Sequence, residues 1–247
     1  MIRFPCCCCF SCENTENETQ PLLGSRQSEQ NGAASARQTL SAHSDGHMKT
    51  GKLVMRRVGV PDLDQRFSDV AEAFNEQQHR FETTVHLLLS LQKRYRCSPG
   101  GPLALTGILR KIRDEHEANY RISMKLKGYD FSLCVVHANS EENDVGPLPY
   151  HLQMAIDEFK DISESAKATI AKGTTLQELI GWLLRSKDHM AEQVKGAAAT
   201  FQEQGRLSEN LKENVNEVVR AKQLSMEYRQ KAGEIFVEAA DIAGPHL

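Results

Sequence analysis

Five of the seven cysteines fall in one short run, Cys6, Cys7, Cys8, Cys9 and Cys12, with Ile2, Phe4 and Phe10 beside them. A thiol can hold a metal, join a disulfide or carry an acyl chain, and spacing decides among these. Adjacent cysteines point in different directions, so four in a row chelate a tetrahedral ion poorly, and zinc sites come as spaced pairs. Cys6, Cys9 and Cys12 have a three-residue spacing found among iron–sulfur ligands, but no second cysteine or histidine cluster completes such a site. S-acylation fits the run best. Each buried methylene of an acyl chain contributes about 0.8 kcal/mol, and stable anchoring takes two signals, which five thiols supply. Ile2 excludes myristoylation, which needs glycine there. Cys97 and Cys134 stand alone and read as ordinary thiols, because disulfides are uncommon in reducing compartments. The five clustered cysteines are therefore the expected lipidation sites, with no metal and no cofactor.

Six residues beyond Cys12 begins Glu18-Thr19-Gln20-Pro21-Leu22-Leu23, an acid four positions before a leucine pair. This is the form of an acidic dileucine sorting signal. It works as an extended peptide whose leucines enter an apolar pocket while the acid meets a basic patch on a clathrin adaptor. Pro21 keeps the residue before it out of helix. The leucines lie at most about 35 Å of chain from Cys12. Lys49, Lys52, Arg56 and Arg57 follow later and suit either contact with anionic lipid or plain solvation.

Four cysteines, a lone cysteine, acidic residues and a Pro-Leu-Leu end together resemble the lipidated anchor segment of melanoregulin. The plan is also similar to that of the lysosomal anchor subunit of the Ragulator complex. The resemblance covers about 25 residues and carries over only Cys6 to Cys9, Cys12, Leu22 and Leu23. It implies a peripheral, lipidated protein on the cytosolic face of late endosomes, lysosomes or related organelles. The plasma membrane or Golgi is the alternative address.

Other chemistry is sparse. Glu76 and His79 make one Glu-x-x-His, whereas a di-iron bundle needs two such motifs and two more glutamates. His79 and His86 fall on a polar helix face, and Asp114, Glu115, His116 and Glu117 read as a hydrated charge run. No glycine-rich phosphate loop or nucleophile elbow occurs, so catalysis is not expected.

The elements that must carry these groups follow from composition and period. The 247 residues are 40% hydrophobic, 26% charged and only 6% aromatic, with net charge −3. That balance gives no basic field for nucleic acid. No apolar run reaches the roughly 18 residues of a membrane span, and the first residues lack a signal-peptide apolar core. Residues 13 to about 60 are rich in Ser, Gln, Asn and Gly without helical or strand period, so an unstructured arm over 1–60 is expected. A coil of about 50 residues reaches roughly 40 Å.

A helical domain is expected over 61–244. Asp62 and Gln65 suggest a capping box, after which Phe67, Phe74, Phe81, Leu88 and Tyr95 hold one heptad position. Leu63, Val70 and Leu91 hold the other, interrupted by Gln77 and Thr84. A second helix is expected over Leu103 to Lys127, then an extended segment at 129–135 with no partner strand. A third spans Tyr150 to Lys172 and stops at Gly173-Thr174. A fourth starts in a Thr175/Glu178 capping box, with Leu176, Ile180, Leu183, Met190, Val194 and Phe201 inward. A fifth runs from Leu207 through Leu211, Asn214, Val218, Ala221, Ser225, Tyr228, Ala232, Ile235 and Ala239 to Ile242, with a phase slip near Gly205. The expected fold class is all-α, an elongated antiparallel four- to five-helix bundle with coiled-coil-like heptad seams.

Such a domain, hung on an acylated arm, suits a tether or adaptor for a cytosolic protein. Arg220 and Lys231 on the charged side of the last helix are the expected partner contacts. A helical lipid carrier is the alternative. Replacing Leu22 and Leu23 by Ala should leave the protein on membranes but move it between organelles; an unchanged distribution in fluorescence imaging would remove the dileucine from the sorting machinery.

Overall fold

In the computed structural model, which describes residues 51–97, 104–138 and 148–244, five helices and one β-hairpin are present. All the described residues belong to the unit Lys49–Leu247. The cysteine cluster and the Glu18-to-Leu23 motif lie outside the described residues.

Helix α1 (Pro61–Arg94) starts with proline at its first turn, where a missing N–H costs nothing. The expected Asp62/Gln65 capping box is not formed. Val60 occupies the cap, Asp64 Oδ1 accepts from Val58 N at 2.6 Å, and Gln65 Nε2 donates to Asp69 Oδ1 at 2.7 Å. Phe67, Phe74, Leu88, Leu63, Val70 and Leu91 are buried, as are the two residues that interrupt the row, Gln77 and Thr84.

Helix α2 (Leu105–His116) buries Leu105, Ile108 and Ile112 but ends eleven residues before Lys127. The next residues form strands β1 (Tyr120–Lys127) and β2 (Asp130–His137), an antiparallel pair in register from Tyr120↔His137 to Lys127↔Asp130. The described chain is mostly helical, as expected, but it carries one small two-strand sheet, so the extended segment has a partner strand after all. Ile122 and Met124 are buried between exposed Arg121, Ser123 and Lys125, a two-residue period that a helix cannot use. Gly128 supplies φ +63° at the first position of the two-residue turn, and Tyr129 has no positive φ, which matches a type II′ hairpin. Phe131 N donates to Ser163 Oγ at 3.0 Å, and the Phe131 ring meets Phe236 edge-on at 5.5 Å.

Helix α3 (Tyr150–Arg185) passes straight through Gly173-Thr174. The expected break is absent because Gly173 serves packing. A Cβ there would lie 2.4 Å from both Arg229 Cδ and Gln77 Nε2. Thr175 and Glu178 are therefore interior residues, not a cap. The break comes at Ser186, between Leu183 and Met190 of the expected apolar row. Helix α4 (Lys187–Ala197) buries only Met190 and Val194. Phe201, expected inward, is 89% exposed at the start of helix α5 (Phe201–Ala243). The cap of α5 is Thr200, whose Oγ1 accepts from Glu203 N at 3.1 Å, while Glu203 reaches back to Ala199 N at 3.0 Å. The phase slip near Gly205 thus reflects an interruption at 198–200.

Two apolar clusters fill the interior. One joins Phe67, Phe74, Leu176, Leu183, Met190, Leu211 and Val218; the other joins Leu88, Leu91, Ile112, Phe131, Phe159, Ile162 and Ile235. Each of α1, α3 and α5 contributes to both. The N-terminal halves of α1 and α5 share the first cluster with the C-terminal half of α3, so α3 runs antiparallel to the other two. Arg94 clasps Glu158 with two hydrogen bonds of 2.7 Å, tying the end of α1 to α3 and holding the guanidinium above its ordinary pKa.

The glycines predict opposite signs. Gly173→Val should destabilise by about 1–3 kcal/mol, since its neighbours cannot retreat without losing buried contacts. Gly205→Ala should stabilise by roughly 0.4–1 kcal/mol, because nothing lies within 4 Å of its new methyl. Chemical denaturation of both variants checks the pair.

Candidate functional site

Residues 51–60 lack any period, yet Leu53 and Val58 are 2% and 0% exposed. The expectation of an unstructured arm extending to residue 60 does not hold for 51–60. This extended segment is fixed through its backbone. Asn75 of α1 accepts from Leu53 N at 2.7 Å and donates to Leu53 O at 3.0 Å. Asn214 of α5 does the same for Arg56, at 2.8 Å and 2.7 Å. Each side-chain amide thus imitates a neighbouring β-strand, satisfying both backbone groups of one residue. Asn210 Nδ2 adds a 2.8 Å bond to Arg57 O. Asn214 was legible as an inward polar residue. Its use as a clamp was not, because the segment it holds carries no pattern of its own.

The clamp also uses a cation expected to meet a partner. Arg220 Nε donates to Glu217 Oε2 at 3.0 Å, and its Nη1 lies 3.5 Å from Gly51 O. It lines an open cleft of about 490 Å³ with Lys52, Val54, Arg56, Glu213 and Asn214. Arg56 pairs with Glu213. Lys231 Nζ donates to Glu227 Oε1 at 2.6 Å and sits 5.9 Å from the Phe81 ring, which itself stacks on Tyr228 at 4.7 Å. Arg220 and Lys231 are not brought into one site. Both are engaged within the chain, so reversing their charge costs stability as well as any partner. Leu211, Val218, Tyr228 and Ile235, expected inward, are buried. Burial pushes the Tyr228 phenol above its ordinary pKa.

A second surface was missed. Between α3 and α5 runs an open groove of about 330 Å³, with Ile180 and Ser225 in its floor, Leu184 and Met226 on its walls, and Arg185, Lys222 and Arg229 along it. No carboxylate lines it. Arg229 Nη1 donates to the neutral amide of Gln177 at 2.7 Å. Lys222 and Arg229 belong to no ion pair among the described residues. The signal was present in the sequence. Arg220 and Lys231 have a glutamate three or four positions earlier, whereas Lys222 and Arg229 have no acid at either spacing on either side.

Glu76 forms an ion pair with Lys172 at 2.6 Å, and His79 and His86 are exposed. Among the described residues no group of three or more potential metal ligands converges. None of the described helices is long and apolar enough to cross a membrane. No family model, curated protein or solved structure matches this chain.

If the amide clamp fixes residues 53–58, Asn214→Asp should release them. A carboxylate cannot donate to Arg56 O, and its charge would sit where Asn214 is 1% exposed, at a combined cost of about 1–3 kcal/mol. Hydrogen exchange at the Leu53, Arg56 and Val58 amides should accelerate by an order of magnitude or more, at that cost, while the α3 amides stay protected.

Proposed function

We propose that this protein is a peripheral membrane tether or adaptor. In this reading, thioester-linked acyl chains on Cys6, Cys7, Cys8, Cys9 and Cys12 hold it to the membrane. Glu18, Leu22 and Leu23 direct it, through a clathrin adaptor, to the cytosolic face of late endosomes or lysosomes. The helices over 61–244, packed as a bundle with heptad seams, hold a cytosolic protein there. No catalytic step is assigned.

The interior is the observation that carries this reading over the lipid-carrier alternative. Phe67, Val70, Phe74, Leu88, Leu91, Ile108, Ile112, Phe159, Ile162 and Ile235 are each 0% exposed, and the two apolar clusters are filled by the chain's own side chains. A carrier needs apolar volume that its own residues leave open. Here the clefts lie at the surface, between elements, where a protein partner can reach them.

The anchor is tested with the intact chain in cells. Changing all five clustered cysteines to Ser should move the protein from the membrane pellet to the soluble fraction. Hydroxylamine, which cleaves thioesters, should do the same to the unmodified sequence. Protein that stays pelleted after hydroxylamine would remove thioester acylation, and the tether reading with it.

A further inference from the structure

Helix α5 carries a second heptad row on the side opposite its buried seam. Val219, Gln223, Met226, Gln230, Gly233 and Val237 alternate steps of four and three over 18 residues, about 27 Å of helix. Val219, Met226 and Val237 are 46%, 61% and 63% exposed, a set of large apolar side chains left in water on one face. A 3.5-residue period on an outward face is the pattern of a helix that packs against another helix.

The flanks of this row name the occupant. In heptad terms Val219, Met226 and Gly233 take position d, and Gln223, Gln230 and Val237 take position a. The g positions before them are then Lys222 and Arg229, and the e positions after them are Arg220, which Glu217 holds, then Glu227 and Glu234. When two parallel helices pair, each g residue faces the e residue five positions later on the other helix. Two copies of α5 side by side therefore place Lys222 against Glu227 and Arg229 against Glu234, each pair occurring twice. An antiparallel pair of copies would set base against base and acid against acid.

We infer that the outward row of α5 is a self-association surface, on which a second copy of this chain docks through its own α5 in parallel. The acidic flank argues against an anionic lipid surface as the occupant, since Glu227 and Glu234 border the same apolar row as the bases. In the isolated chain Glu227 holds Lys231, and Glu234 accepts from Gln230 Nε2 at 3.0 Å, so both carboxylates are already positioned along the row. The helix is preformed by its buried seam, and a second copy therefore meets no cost of helix formation. Gln223 and Gln230 at inward positions weaken the contact but favour one register, as polar residues at position a do.

Sedimentation equilibrium of the full, unacylated chain tests this without reference to the membrane anchor. The natural sequence should show a monomer–dimer equilibrium that weakens with added salt. Lys222→Glu with Arg229→Glu should raise the dissociation constant at least tenfold, and Glu227→Lys with Glu234→Lys should do the same. Mixing the two variants should restore association, because every g–e pair is then complementary again. Met226→Glu, at an exposed position, should abolish the dimer without changing the melting temperature. A chain that stays monomeric at the highest soluble concentration overturns the inference, as does association that neither charge reversal affects or that mixing fails to restore. Binding to anionic vesicles that Met226→Glu abolishes, with no dimer in solution, would overturn it in favour of a lipid surface. None of these outcomes bears on thioester anchoring, which hydroxylamine tests separately.

Discussion

Gln77 Nε2 donates at 3.1 Å to Thr169 O of α3 and at 3.3 Å to Ser225 O of α5. The residue is 0% exposed and lies between the two apolar clusters. Without it, the interior alignment of three long helices would rest on apolar contacts, which tolerate a shift of one turn with modest loss, and the polar ties between the helices would be those nearer the surface, such as Arg94 with Glu158 and Lys172 with Glu76. A buried amide does not tolerate such a shift, because sliding α1 by about 5.4 Å breaks both of these bonds and sliding α3 or α5 breaks one of them, in an interior where the Gln77 Oε1 already has no partner. Gly173 makes the geometry possible by letting the Gln77 amide and the Arg229 stem occupy the space of a Cβ. Thr169, beside Gln77, and Thr84, two turns further along α1, each return their hydroxyl to the carbonyl four residues earlier on their own helix. Polar residues that weaken the apolar row thus act as a register pin.

Once register is fixed, the remaining features fall into place along α5. Its buried seam meets α1 and α3, so Asn214 arrives beside the segment 51–58 from one side while Asn75 arrives from the other. Both amides grip backbone, which leaves the side chains of that segment free of the task. Val54 is accordingly 74% exposed, and Lys52 and Arg57 are also exposed. The chain entering the helical unit is therefore held by five hydrogen bonds between its backbone and asparagine side chains, and apolar burial of Leu53 and Val58 adds to them. A tether needs such a junction, since whatever binds the helices has to act on the chain that precedes them.

The legible parts of the fold were those written in long periods. The seam of α5 could be read residue by residue because eleven inward positions repeat without interruption, and α1 was nearly as clear. The hairpin was not legible because Tyr120 and Leu126 fit a helical row as well as an alternating one; only Ile122 and Met124 between them separate the two, over too few residues to decide. Gly173 was read by its usual effect on helices, which is correct for an exposed glycine and wrong for one at a helix crossing. The segment 51–60 had no signal, since backbone hydrogen bonding leaves no trace in side-chain type. As for the candidate sites, the cysteine and dileucine motifs lie outside the described residues. Arg220 and Lys231 stand out in the sequence as charged, and the acid one helical turn before each, equally visible there, is what holds them within the chain.

That last distinction bears on how a helical surface recognises anything. A cation with a glutamate at i−3 or i−4 already has most of the Coulomb energy that an exposed pair offers, roughly 0.3–0.5 kcal/mol, and a partner must compete with it. A cation with no such neighbour offers that energy wholly to what arrives. On α5, Arg220 and Lys231 are of the first kind and face the clamped segment and the Phe81 ring of α1, whereas Lys222 and Arg229 are of the second kind and border the groove on α3 and the outward apolar row. Arg220 and Lys231 are thus engaged within the fold, while Lys222 and Arg229 lie beside exposed Val219 and Met226. Apolar contact alone would accept many helices on such a row. The asymmetric flanks, bases before and acids after, reject any neighbour whose charges run in the wrong order, and so convert a small apolar area into a directional surface.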